Sequence, residues 1–196
     1  MIDIEKFRKV FPFINEMDAA DVFDFLKHTS VLKLNPGDIF LKQGSLKGNI
    51  YFVKVGLIRS FFVNEKGEEI TNRFRYENQV MSCYEIDMLN EPSRFNLQAL
   101  EPTELIVMEV KTMQKIVHGN PKLETGLRFF INSSFVEALQ ALDDFILLSP
   151  EQRYLKFVKE HPELHNRVPN KYIANVLGIT PVSLSRIRKR VVTKKQ

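Results

Sequence analysis

Cysteine is nearly absent from this chain: Cys83 is the only one in 196 residues. One thiol excludes an internal disulfide, and it excludes a thiolate-ligated iron–sulfur cluster, which needs several cysteines. It fits a reduced, cytoplasmic setting. Long apolar runs are missing too, and no stretch approaches the roughly 18 residues that a membrane-spanning helix requires. The first ten residues hold Asp3, Glu5, Lys6, Arg8 and Lys9, so they lack the apolar core of a signal peptide. Histidine is scarce: His28, His118, His161 and His165 are the four, and none lies between Ser30 and Glu109. A histidine-rich metal site in that central stretch, such as metal-dependent β-rolls use, is thereby excluded. His161 and His165 are four apart, but Pro162 disfavours one helix presenting both. There is no Ser/His/Asp set and no glycine-rich phosphate loop. No catalytic residue, metal site or certain cofactor is assigned, and an enzyme is not expected.

What is present suffices for a substantial core. The chain is 44% hydrophobic with 16 phenylalanines, and its 8 glycines and 9 prolines do not make it low-complexity. The net charge is only +4 but is unevenly placed. Residues 149–196 hold 11 of the 28 basic residues and 3 of the 24 acids, and no acid follows Pro169. The part before residue 149 is net acidic. A polyanion partner for the C-terminal part explains this asymmetry; a solvated basic tail is the alternative.

Hydrophobic spacing divides the chain. Residues 2–11 read as a short helix with Ile4, Phe7, Val10 and Phe11 at helical intervals, and Asp18 can cap a second helix carrying Val22, Phe23, Phe25 and Leu26. From Ser30 to Glu109 the period is two. Strands are predicted over 31–34, 39–41, 50–55, 57–63, 70–74, 95–100 and 105–110, separated by turn residues, with 64–67 a hairpin turn. So many short strands mean a sandwich, roll or barrel. A short helix over 111–118 follows, and Pro121 opens a long helix to about Leu148. That helix has one stripe at Leu123, Leu127, Phe130, Ser134, Ala138, Ala141 and Phe145, and a second at Ile131, Phe135, Leu139, Leu142 and Ile146. Two stripes call for two partners, the roll and a second copy of the helix; burial in one core is the alternative. The division is 1–120, 121–148 and 149–196, with the hinge over 147–149.

The last segment carries the most specific pattern. Asn170 can cap a helix holding Ile173, Ala174, Val176 and Leu177. Gly178 permits the positive φ that stops it, Thr180 caps the next helix, and Pro181 sits in that helix's first turn. Leu184 and Ile187 then face inward. Two short helices joined by a glycine turn, the second one basic, form a helix-turn-helix. Its second helix would enter the major groove of double-stranded DNA. Arg186 is placed to read guanine, Ser183 to bond base edges from beside the Thr180 cap, and Val182 to touch a thymine methyl. Lys171, Ser185, Arg188, Lys189 and Arg190 are placed to meet phosphates. An ordinary helix pair with a solvated basic face is the bland alternative.

The chain resembles the Crp/Fnr superfamily of bacterial regulators over nearly its whole length. The residues that carry the resemblance run from Gly37-Asp38-Ile39-Phe40 to Gln43-Gly44, through Ile50-Tyr51-Phe52-Val53 and Gly56-Leu57-Ile58-Arg59, to Ile173-Ala174, Leu177-Gly178-Ile179-Thr180 and Leu184-Ser185-Arg186-Ile187. The helix-turn-helix phrasing resembles a subgroup common in Bacteroidetes. The resemblance implies an α+β fold: a double-stranded β-helix (jelly-roll-like) sensor domain, a long dimerisation helix, and a winged-helix-like helix-turn-helix. Any wing must lie in 161–168. It also implies a cytoplasmic homodimeric transcription regulator, gated by a small effector in the roll, with DNA and RNA polymerase as partners. In cyclic-AMP-binding members a Phe-Gly-Glu and an Arg-Ser-Ala motif hold the nucleotide. Here 79–86 has no glycine, and Arg94 stands one place from the family arginine, which in a strand turns it to the opposite face. Cyclic AMP is therefore disfavoured, and another small acid, or no ligand, takes its place. The candidate effector residues are Arg73, Tyr84, Glu85 and Arg94, with a surface Glu85–Arg94 ion pair as the plain alternative. The competing function is a cyclic-nucleotide-binding module that controls a protein partner without binding DNA.

Overall fold

The computed structural model describes Val22 and residues 25–193. The helix expected over 2–11, the Asp18 cap, Phe23, Lys194 and Lys195 lie outside the described residues. The described chain forms two compact units: one from residues up to 62 together with 74–134, the other from 63–73 together with 135–193.

The first unit holds the roll. Its strands are β1 (Ser30–Leu34), β2 (Ile39–Leu41), β3 (Asn49–Val55), β4 (Leu57–Val63), β5 (Glu69–Tyr76), β6 (Val80–Met81), β7 (Asn96–Ala99) and β8 (Thr103–Glu109). The tip of the β4–β5 hairpin belongs to the other unit. The strands form two four-stranded sheets, ordered β1-β8-β3-β6 and β2-β7-β4-β5. The β3–β8 pairing is antiparallel, with Tyr51 opposite Val107 and Phe52 opposite Ile106. Period-two alternation then sends neighbouring side chains to different cores. Tyr51, Val53 and Leu105 point between the sheets, meeting Leu41, Ile58 and Leu97 of the second sheet. Ile50, Phe52, Ile106 and Met108 point outward to Val22, Phe25 and the helices α1 (Val110–Val117) and α2 (Pro121–Leu147), which supply Met113, Val117 and Leu123. Both faces of β3 and β8 are therefore covered, which is why these strands are almost uninterruptedly apolar.

Turn chemistry follows the sequence. Asp38 accepts a hydrogen bond from the Asn35 N–H at 2.8 Å. The Asn64 side-chain oxygen accepts from the N–H groups of Lys66 and Glu68, closing the β4–β5 hairpin. Arg59, on β4, is 1% exposed; its Nε donates to the Gln98 Oε1 at 2.7 Å and its guanidinium lies 4.0 Å from the Phe61 ring centre. A buried cation is tolerated because it is bonded and stacked.

The first turns of α2 pack on the outer core through Leu123, Leu127 and Phe130. Beyond them the helix is exposed: Ile131, Phe135, Val136, Leu139, Leu142, Phe145 and Ile146 are all between 39% and 70% accessible in the single chain. After α2 come α3 (Pro150–Glu160), α4 (Leu164–Arg167), α5 (Asn170–Val176) and α6 (Pro181–Thr193). Ser149 caps α3 with a full capping box, accepting from the Gln152 N–H while the Gln152 side chain accepts from its own. The stretch 161–168, expected to hold any wing, contains the helical turn α4. Among the described residues no helix is long and apolar enough to cross a membrane.

One close approach holds the roll's corner. Gly56, alone between β3 and β4, has φ +102°. A Cβ there would lie 2.7 Å from the Pro102 carbonyl oxygen and 2.8 Å from the Thr103 Cα, backbone that cannot swing aside. Gly56→Ala should therefore cost about 2–4 kcal/mol, from left-handed strain and overpacking together. Urea unfolding checks this; a loss under about 0.5 kcal/mol would contradict the close approach.

Candidate nucleic-acid interface and sensor site

The helix-turn-helix is built on a tightly closed crossing. Ile173, Ala174 and Leu184 are fully buried, with Leu177 and Ile187 nearly so. Ala174 leaves room for α6, and its carbonyl accepts the Ile179 N–H at 3.0 Å. Gly178 turns the chain at φ +64°. Thr180 caps α6 as expected, its Oγ1 accepting from the Ser183 N–H at 3.1 Å, and the two hydroxyls are bonded to each other. Asn170 does not cap α5; it is that helix's first residue, and Pro169 occupies the cap position.

This frame sorts the candidate DNA residues. Val182 is 61% exposed, and with Arg186 and Lys189 it shares one face of α6 at i, i+4 and i+7. Ser185, Arg190 and Lys171 are also exposed, and Ser183 is half-buried. Arg190 reaches the Glu151 carboxylate at 3.2 Å, in a pair exposed mainly at its arginine end. Arg188 departs from its expected role. It is half-buried: it donates to the Asn170 Oδ1, its Nη2 lies 3.3 Å from the His165 Nδ1, and its guanidinium lies over the Tyr154 ring. It flanks the buried Leu184–Ile187 stripe, so its reach is spent inside the protein. His165 is held below its ordinary pKa, first by burial and then by the charge of Arg188, both of which favour the neutral ring.

Two features of this unit have no counterpart in the sequence reading. The Thr71 N–H, on the hairpin tip, donates to the Asn175 Oδ1 at 3.2 Å, and Thr71 is 1% exposed. Arg153 donates to two carbonyls, of Leu148 and Leu177, at 2.7 and 3.1 Å. Periodicity gives no sign of either, because both join segments far apart in the sequence.

In the roll, three of the four candidate effector residues meet. Glu85 opens a π-helical turn (Glu85–Leu89) that ends on Asn90 at φ +54°. Its side chain is 3% exposed and accepts from the Arg94 Nε at 2.9 Å, and the Cys83 thiol donates to its other oxygen at 3.2 Å. Arg94 also donates to the Tyr84 hydroxyl and lies near both the Tyr84 and Phe95 rings. The expected surface ion pair is thus exposed only at its arginine end. Arg73 is not part of this group; it is exposed on β5, in the hairpin segment of the other unit. Burial alone would raise the Glu85 pKa, but hydrogen bonds from Arg94, its own backbone and Cys83, with the charge of Arg94, hold it below the usual carboxylate range. Burial pushes the Cys83 thiol up, and the Glu85 charge adds to that. Asp87, on the same turn, is pushed up to about 6, by burial first and then by Glu85, against a hydrogen bond from Ser82; its Oδ1 is buried without a partner.

A carboxylate whose folded pKa is raised costs stability once both states ionise it. Asp87→Asn should stabilise the protein by about 1–2 kcal/mol at pH 7.5. The gain should shrink as the pH falls below about 6 and vanish only below about pH 3, where both states carry a protonated Asp87. Denaturant titrations at the two pH values check this, and an equal gain at both would refute it.

Residues 31–120 match the family model for the cyclic nucleotide-binding domain. Among curated proteins, the transcriptional activator protein Anr of Pseudomonas protegens is 25% identical over 114 residues, which is 58% of this chain. That match spans 44% of Anr, so the chain matches under half the length of this curated relative. Among solved structures, FixK2 from Bradyrhizobium japonicum superposes with a TM-score of 0.72 at 15% identity, covering 85% of this chain and 86% of FixK2. A protein from Eubacterium rectale assigned to the Crp/Fnr family gives 0.71 at 15% identity, covering 95% and 88%. The regulator CLP from Xanthomonas campestris gives 0.69 at 13% identity, covering 91% and 93%. Residues 31–120 therefore carry a cyclic nucleotide-binding domain, and the order of roll, long helix and C-terminal helices is the fold that these solved structures share.

Proposed function

We propose that this chain is a sequence-specific DNA-binding transcription regulator, acting in the cytoplasm as a homodimer. Residues 1–120 serve as its sensor, 121–148 as its dimerisation helix and 149–196 as its DNA-binding part. The observation that carries the reading is the exposed, acid-free face of α6, where Val182, Arg186 and Lys189 stand in line on a rigid helix pair. Relatives that share the fold or part of the sequence are transcriptional activators and regulators by name. RNA polymerase is the further partner such a role implies.

The dimer reading rests on α2. Its exposed Ile131, Phe135, Leu139, Leu142 and Ile146 recur at intervals of three and four along one side. A monomer would leave this stripe in water, and each such side chain gains about 1.5–3 kcal/mol when fully buried. A parallel copy of the same stripe buries it symmetrically and sets two recognition helices about 34 Å apart, one turn of DNA. Leu142→Glu should convert the dimer to a monomer at micromolar concentration. Sedimentation velocity reads this; a wild type that is itself monomeric would refute the dimer.

The sensor is a small effector taken at the Tyr84–Arg94 face of the roll. Arg94 is already neutralised by a buried carboxylate, so an anionic ligand must displace Glu85 or share its arginine. That disfavours a cyclic nucleotide. It also favours a second reading, in which the roll is a scaffold and the protein binds DNA constitutively. Cyclic AMP and cyclic di-GMP, the latter named for CLP, should leave the melting temperature unchanged, since a ligand that binds only the folded state raises it.

Selection of randomised duplexes by the purified protein, with and without cyclic AMP, tests the main proposal. A palindrome should emerge without nucleotide. Arg186→Ala should then lose about 1–3 kcal/mol on that site and relax preference at one base step. Equal weakening on all sequences would make Arg186 a phosphate contact, and no enrichment under either condition would count against DNA as the partner.

A further inference from the structure

We infer that Arg153 is a positioning residue for DNA recognition, fastening the corner between α2 and the helix-turn-helix and thereby setting the spacing at which two recognition helices reach DNA. The inference rests on the proposed dimeric regulator. Helix C-termini carry carbonyls without intrahelical partners and a partial negative charge. Arg153 meets two such ends at once: its Nη1 donates to the Leu148 carbonyl just past α2, and its Nε to the Leu177 carbonyl closing α5. A guanidinium has the rigid fork for this; a lysine does not.

Two further contacts act at the same corner. The Arg153 guanidinium lies 4.8 Å from the ring centre of Phe145, in the last turns of α2. That ring rests directly on the glycine of the helix-turn-helix: a Cβ on Gly178 would stand 2.6 Å from the Phe145 Cε1. Gly178 is therefore required both for its positive φ and for the space the ring fills. Beside it, Lys156 of α3 pairs with Asp144 of α2 at 2.5 Å, both side chains about one-third exposed. The corner expected to act as the hinge, over 147–149, is thus strapped by a bidentate cation, a stacked ring and an ion pair. The C-terminal half of α2 and the helix-turn-helix belong to one compact unit. In a dimer joined through α2, the direction of each recognition helix is then set at this corner.

The test uses the full-length dimer, as wild type, Arg153→Gln and Phe145→Leu. The duplexes carry the selected palindrome at its own half-site spacing, the same half-sites moved by two base pairs, and a single half-site. Two base pairs rotate a half-site by roughly 70°. Wild type should prefer the selected spacing by at least about tenfold. In Arg153→Gln that preference should fall below about threefold, with single half-site affinity within about twofold of wild type. An unchanged spacing preference would overturn the inference. So would a loss on the single half-site equal to the loss on the palindrome, which would mean that Arg153 supports the helix pair itself. Should Arg153→Gln fail to fold, Phe145→Leu decides by the same two readings. A wild type that binds no duplex would overturn the regulator reading and this role with it, an outcome visible without any variant.

Discussion

A 27-residue helix with apolar side chains around much of its circumference cannot bury all of them against one small roll. The roll takes the first turns of α2, at Leu123, Leu127 and Phe130, into a core already filled by β3, β8 and α1. Past Ile131 the helix leaves that core, and its remaining apolar stripe is exposed among the described residues. This constraint organises the rest of the structure. A stripe open to water demands a second apolar surface, and self-pairing is the symmetric way to supply one. The last turns then reuse the helix for another purpose. Phe145, from the stripe on the other side, leans on Gly178, so the helix that carries the exposed stripe also supports the helix-turn-helix.

The sensor region shows what happens when a site's charge is supplied from within. A buried carboxylate is costly unless it is bonded, and Glu85 is bonded at both oxygens, by Arg94 and by the Cys83 thiol. The arrangement satisfies the acid and occupies the arginine. Cys83, pushed toward its neutral thiol by burial, becomes a donor rather than a nucleophile. Asp87 is left with a buried oxygen that has no partner, and burial, with the nearby Glu85 charge, raises its pKa. The region is therefore closed on itself on one side and under-satisfied on the other.

Much of this was legible in the sequence, and the reason differs by element. The strands could be read because β3 and β8 send alternate residues to two apolar cores, which leaves a dense run bounded by turn residues. The β4–β5 turn could be read because Asn64 and Gly67 are residues whose side chain or positive φ suits a hairpin turn. The short β6 and the π-helical turn at Glu85–Leu89 could not, since two paired residues and one wide turn leave no period to detect. At the candidate sites, the Thr180 cap and the buried Leu184 and Ile187 follow from local rules. The pairing of Arg94 with Glu85 was visible as an ion pair, but the burial of only one end was not. Arg153 and Asn175 gave no sign, because each joins segments that meet only in three dimensions.

The basic run at the C-terminus illustrates why charge counting alone misleads. Arg186, Arg188, Lys189 and Arg190 are adjacent in sequence and equal in formal charge, yet the helix sorts them by phase. Ile187 points into the core, so Arg188, four residues after the buried Leu184, stands at the edge of the buried stripe and is drawn onto Tyr154, His165 and Asn170. There it cannot serve a phosphate without leaving its own nitrogen bonds. Arg190, at the far end, pairs with Glu151 through a bridge exposed mainly at its arginine end. Arg186 and Lys189 fall on the face opposite Leu184 and Ile187, beside Val182. The same four cations thus divide into one that builds the domain, one that pairs with Glu151, and two that remain on the surface. That division follows from helix geometry acting on a buried pair of aliphatic residues, Leu184 and Ile187.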